Sequence, residues 1–111
     1  MARILVVEDD LGQLEIRQQI LENAGYEVVT AQSADEGLER LPGCHLVLTD
    51  LRIPNPKDGR RLIQAVAGQA SIIVLSGAPP DESLPVEEFL SKPCPSKRLL
   101  EAIAKWTSES R

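Results

Sequence analysis

"LVLTDLRIPNPKDG", residues 46–59, decides the fold. An apolar stretch ends on an acid, Asp50, and a loop carrying Pro54, Pro56 and Gly59 follows at once. A run this short, closed by turn residues, reads as a strand covered on both faces. A carboxylate at the end of a buried strand is costly unless something pairs with it. The purpose of Asp50 is the question the rest of the chain has to answer.

The same pattern recurs along the chain. "RILVV" (3–7), "YEVVTA" (26–31), "HLVLTD" (45–50), "SIIVLS" (71–76) and a weaker "EEFLS" (87–91) read as five strands. Helical spacing fills most of the gaps. Leu11, Leu14, Ile16, Ile20, Leu21 and Ala24 form an apolar arc, opened by the start signal Asp10-x-x-Gln13 and stopped by Gly25. Ser33 and Glu36 make a capping box for a short helix to about Leu41. A third helix starts at Asp58 or Gly59, carries Leu62, Ile63 and Val66, and is closed by Gly68. Pro95 suits the first turn of a last helix with Leu99, Leu100, Ile103 and Trp106 on one face.

Alternating strands and helices require crossover connections, and right-handed crossovers give a parallel sheet with helices on both faces. The expected class is α/β: a doubly wound five-stranded parallel sheet in flavodoxin-like order 2-1-3-4-5. One crossover is short of residues. Between Ser76 and Lys92 the chain reads "GAPPDESLPVEEFLS", and Pro79, Pro80 and Pro85 exclude a regular helix across it. At most a single turn fits near Asp81-Glu82-Ser83, so the fourth helix is expected to be reduced or absent.

The 111 residues suffice for one domain, expected over 1–107 with a short tail at 108–111. Aromatic residues are only 3%, which makes the core aliphatic. A formal charge of -5 argues against direct nucleic-acid binding, which needs clustered Lys and Arg. Cys44 and Cys94 are too few for a disulfide framework and read as free thiols in a reducing, cytoplasmic setting. The start "MARILVV" is neither a signal peptide nor a membrane span. The chain contains no G-x-x-x-x-G-K-[ST] and no G-x-G-x-x-G, so nucleotide binding has no support.

Open parallel sheets bind ligands beyond the carboxyl ends of their strands, at the switch between strands 1 and 3. Strand 1 ends in Glu8-Asp9, strand 3 in Asp50 and strand 4 in Ser76-Gly77, while strand 5 runs into Lys92-Pro93. Three neighbouring carboxylates repel unless a cation neutralises them. Few carboxylates with waters and a phosphate describe a magnesium site. Each piece also has a bland reading: Asp10 complements a helix dipole, Glu8-Asp9 alone could be a cap, and Ser76 alone a turn residue. His45, the lone histidine, sits at the amino end of its strand, away from the acids. It is the coincidence of all the pieces at one edge that points to a site.

The blocks "ILVVEDD", "LVLTDLRIP…DG", "IIVLSGA" and "FLSKP" resemble, in order, those of the receiver domain of two-component response regulators, over nearly the whole chain. The resemblance implies that Asp50 is the phosphoacceptor and that Glu8 and Asp9 are the acidic pair for Mg2+. It implies a further metal ligand in the backbone carbonyl of Arg52. It makes Ser76 and Lys92 the groups that contact the phosphoryl, and Ser76 and Phe89 a switch pair. It also implies a cis bond before Pro93. Phe89 reads equally as a core ring. The implied donor is a histidine kinase or a histidine phosphotransfer protein, with the receiver a monomer or weak dimer.

Two departures stand out. The loop after Asp50 is one residue longer than the usual pattern, so a local bulge is expected. The shortened fourth-helix region is known in receivers of hybrid histidine kinases, and it suggests output through another surface. Two other readings are a degenerate receiver that docks without phosphorylation and a magnesium-dependent phosphohydrolase with an Asp nucleophile. The first is opposed by the intact acid, Ser and Lys set. The second lacks a second acid close after Asp50. The ending "TSESR" leaves a stand-alone receiver and a fragment of a longer protein equally open.

Overall fold

The computed structural model describes residues 2–108. It contains β1 (Arg3–Val7), α1 (Leu11–Asn23), β2 (Glu27–Ala31), α2 (Ala34–Arg40), β3 (Leu46–Thr49), α3 (Pro56–Val66), β4 (Ser71–Ser76), β5 (Glu88–Ser91) and α4 (Ser96–Ser108). The strands form one parallel sheet in the order β2-β1-β3-β4-β5. That is the doubly wound order the apolar runs predict. The tail expected at 108–111 falls almost wholly outside the described residues, and Ser108 belongs to α4.

Alternation along each strand divides the core in two. Leu5, Val7, Val47, Ile72 and Val74 pack with Leu62, Ile63 and Val66 of α3 and with Ala34 of α2. Ile4, Val6, Leu46, Leu48, Ile73 and Leu75 pack on the opposite face with Leu14 and Leu21 of α1 and Leu99, Ala102 and Ile103 of α4. Each fully buried Leu or Ile contributes ~1.5–3 kcal/mol relative to an exposed one. Both layers are aliphatic, as the scarcity of aromatics requires.

Helix starts follow the expected chemistry. The Asp10 side chain accepts from the Gln13 N–H and the Ser33 hydroxyl accepts from the Glu36 N–H. Gly25, at φ +96°, ends the α1 connection in a conformation other residues avoid. The third helix corrects the sequence reading. It begins at Pro56, not at Asp58 or Gly59, because Asn55 caps it by accepting from the Asp58 N–H. The α1 arc is also corrected. Leu11 and Ile16 are 54% and 57% exposed, and the inward positions are Leu14, Arg17 and Leu21.

No helix forms between β4 and β5, as the three prolines dictate. The connection makes a turn in which the Leu84 N–H donates to Asp81 O, and Leu84 itself is buried against the α2–α3 side of the sheet. The loop after Asp50 contains a cis Ile53–Pro54 bond with Ile53 fully buried, and Lys92–Pro93 is also cis. Among the described residues no helix is long and apolar enough to cross a membrane.

Gly59 locks α3 to that loop. A Cβ there would lie 1.8 Å from the carbonyl oxygen of Leu51, the residue following Asp50. Backbone cannot give way as a flexible side chain can. Gly59→Ala should therefore destabilise the fold by about 3 kcal/mol or more, measured by urea unfolding.

Candidate functional site

Strand register builds the site. Val7 pairs with Thr49, so Glu8 and Asp50 leave β1 and β3 at the same level. Thr49 pairs with Val74 and Ser76 with Ser91, which brings Ser76 and Lys92 to the same edge. The Lys92 N–H continues the ladder by donating to Ser76 O at 3.0 Å. The even-numbered residues of β1 and β3 face α1 and α4. The side chains of Glu8, Asp50 and Lys92 continue on that side and meet.

Asp50 stands at the centre. One carboxylate oxygen accepts from Lys92 Nζ at 2.6 Å and the other from the Arg52 N–H at 3.1 Å. Its side chain is 11% exposed. With Arg52, Ser76, Gly77 and Ala78 it lines an open cavity of about 320 Å³. Burial pushes the Asp50 carboxyl up, but the Lys92 ammonium and the Arg52 and Leu51 N–H groups outweigh it, and the net direction is below the ordinary value. Asp50 is therefore ionised and still reachable from solvent.

Glu8 is different. It is buried, and its carboxylate is paired with Arg17 of α1. Its second oxygen accepts from the Asp10 N–H at 3.1 Å, and Lys92 Nζ lies 3.8 Å from the first. Sequence reasoning did not find Arg17, which reads as one more polar residue on an exposed helix face. Asp9 is exposed, and its carboxyl is raised by partial burial and then by the charges of Glu8 and Asp50. The Ser76 hydroxyl is buried and accepts from the Ala78 N–H at 3.1 Å. Phe89 is half-buried, packed against the α2–α3 layer and away from the charged cluster. Asp50, Ser76, Arg52 and Lys92 thus share one edge with both acids.

The donor set suits a hard divalent cation. The Asp9 carboxyl is raised first by partial burial and then by Glu8 and Asp50, and a cation would relieve that second, like-charge part. Among the described residues no group of three His, Cys, Asp or Glu side chains is arranged around one point. Two carboxylates, Asp9 and Asp50, and a backbone carbonyl are what magnesium accepts when waters complete its shell.

A sequence profile described as the response regulator receiver domain matches residues 4–104. The chain belongs to the response regulator receiver family. It is 37% identical, over 92% of its length, to the transcriptional regulatory protein GlrR of Escherichia coli K12, of which it covers 25%. It is 31% identical over 94% of its length to the CAI-1 autoinducer sensor kinase/phosphatase CqsS of Vibrio cholerae, covering 17% of that protein. The receiver thus spans a quarter or less of these two relatives. Among solved structures, a receiver domain from Methanospirillum hungatei matches with TM-score 0.88 and 31% identity, over 98% of this chain and 95% of that one. The response regulator TrrA of Thermotoga maritima, solved in complex with Mg(2+)-BeF, matches with TM-score 0.86 and 27% identity, over 96% and 99%.

The two central acids should titrate with opposite signs. Asp50, with a lowered folded value, contributes stability that is fully present above about pH 5 and is lost as pH falls through that lowered value. Asp9, with a raised value, opposes folding once ionised. In chelator at neutral pH, Asp9→Asn should raise the thermal midpoint by ~2–4 °C. Asp50→Asn should flatten the acid limb of a stability–pH curve. Thermal denaturation between pH 3 and 7 checks both.

Proposed function

We propose that this receiver accepts a phosphoryl group on Asp50 from a phosphohistidine of a histidine kinase or phosphotransfer protein, in the cytoplasm. One observation carries the reading: an ionised carboxylate, braced by Lys92 at 2.6 Å, opens onto a cavity shared with Ser76 and Arg52. An Asp50 oxygen attacks phosphorus, the P–N bond to the donor imidazole breaks, and the imidazole leaves with its electron pair and takes up a proton. No general base is required, since Asp50 is already charged. Lys92 follows the developing negative charge on the phosphoryl oxygens, and the Ser76 hydroxyl donates to one of them.

Asp9, Asp50 and the carbonyl of Arg52 would hold Mg2+, with Glu8 behind them. When bound, the ion supplies neutralisation of phosphoryl charge. The binding of Mg(2+)-BeF by the related TrrA supports this assignment. The exposed Leu11 and Ile16 lie on α1, the helix that opens beside the acidic edge, and offer apolar footing for a donor protein.

After transfer, the Ser76–Ala78 segment draws toward the phosphoryl group and Phe89 turns further inward, so Ser76 and Phe89 form the switch. With no helix between β4 and β5, output and any pairing of receivers use a surface other than the usual fourth-helix face, and the domain is a monomer or weak dimer. The similarity to a sensor kinase/phosphatase supports a place beside a hybrid kinase.

Incubation with a small acyl phosphate or phosphoramidate plus Mg2+ should add one phosphoryl group by intact-protein mass spectrometry, and Asp50→Asn should abolish the gain. Steady release of phosphate from ordinary phosphoesters would show a phosphohydrolase instead. An unmodified wild type would show a docking module.

A further inference from the structure

The least explained feature of the charged edge is Arg17. Its side chain is 7% exposed and Glu8's is 3%, so the pair is closed off from water on both sides. A second guanidinium nitrogen of Arg17 lies 3.4 Å from Gln13 Oε1, which fixes the fork along α1. Arg17 also floors a groove with Gln13, Ile16, Ile20, Lys92 and Pro93. Two buried charges repay their desolvation poorly, so stability gives the pair only a weak rationale.

Lys92 shows what the pair does. Its ammonium is 2.6 Å from Asp50 and 3.8 Å from Glu8, so two carboxylates compete for one cation. Without Arg17, buried Glu8 would have to be neutralised by Lys92, by the divalent ion or by a proton that the ion displaces. An arginine cannot be deprotonated in a protein, so its neutralisation of Glu8 is permanent. We propose that Arg17 is a positioning residue: by holding Glu8 it weakens the edge's affinity for a divalent cation and leaves Lys92 to Asp50. This rests on the reading of Asp9 and Asp50 as holders of Mg2+. The acidic pair then counts electrostatically as one acid, Asp9.

Calorimetric titration of the full chain with Mg2+ tests it. Arg17→Met should bind Mg2+ about tenfold more tightly or better than wild type, since a fixed positive charge beside the ion is gone. Arg17→Lys should stay within about threefold of wild type, because a point charge still faces Glu8. The paired variant Glu8→Gln with Arg17→Met removes both charges, keeps the net charge of the edge, and should bind within about threefold of wild type. It guards against a single variant that does not fold. Should Arg17→Met fold only when Mg2+ is added, that too supports the proposal. Wild-type binding with no tightening in Arg17→Met, or a paired variant more than about tenfold from wild type, overturns it. Failure of the wild type to bind Mg2+ at all overturns the functional reading, and this inference with it.

Discussion

The contact between Lys92 and Asp50 is the interaction on which the site depends. It joins the ends of β5 and β3, which are not neighbours, across the end of β4 and 42 residues of sequence. Because the sheet is parallel, all the carboxyl ends fall at one edge, and the contact is made there beside the ends of β1 and β4. The contact holds the carboxylate ionised and aimed, yet it is a single ammonium hydrogen bond that an incoming anion can share. A bidentate arginine would grip Asp50 more firmly and yield it less readily.

The edge as a whole works by unequal solvation of similar groups. Three acids lie within reach of one another, and each has a different surrounding. Glu8 is buried and paired with an arginine, Asp50 is part-covered and held by a lysine, and Asp9 is exposed with its carboxyl raised by partial burial and then by its neighbours. Residue type alone would make them interchangeable. Burial and partner give them separate tasks.

Much of this was legible in the sequence. The five apolar runs and their turn residues carry the sheet, and the prolines at 79, 80 and 85 remove the fourth helix in a way no tertiary contact can reverse. The charged edge followed from strand ends and block order. What escaped was long-range pairing. Period alone identifies α1 but not which side turns inward: it puts Leu11 and Ile16 on the apolar arc, yet both are exposed and Arg17 turns inward. Nothing local marks Arg17, because its partner lies nine residues earlier, just past the end of β1. The start of α3 was written in Asn55-Pro56, but a cap followed by proline looks the same as a turn when other prolines and a glycine crowd it.

The missing helix also alters how movement can spread. A helix shifts as a stiff rod, so a nudge at one end arrives at the other. Between Gly77 and Val86 the backbone makes only isolated turn bonds, such as Leu84 to Asp81; the segment is pinned where Leu84 plugs the sheet, where Asp81 meets Arg60 of α3, and where the Glu87 N–H rejoins β4 at Ile72 O. A displacement starting at Ser76 would slacken within a few residues of this loop. The strands offer a stiffer path, since Val74 and Phe89 sit side by side in register.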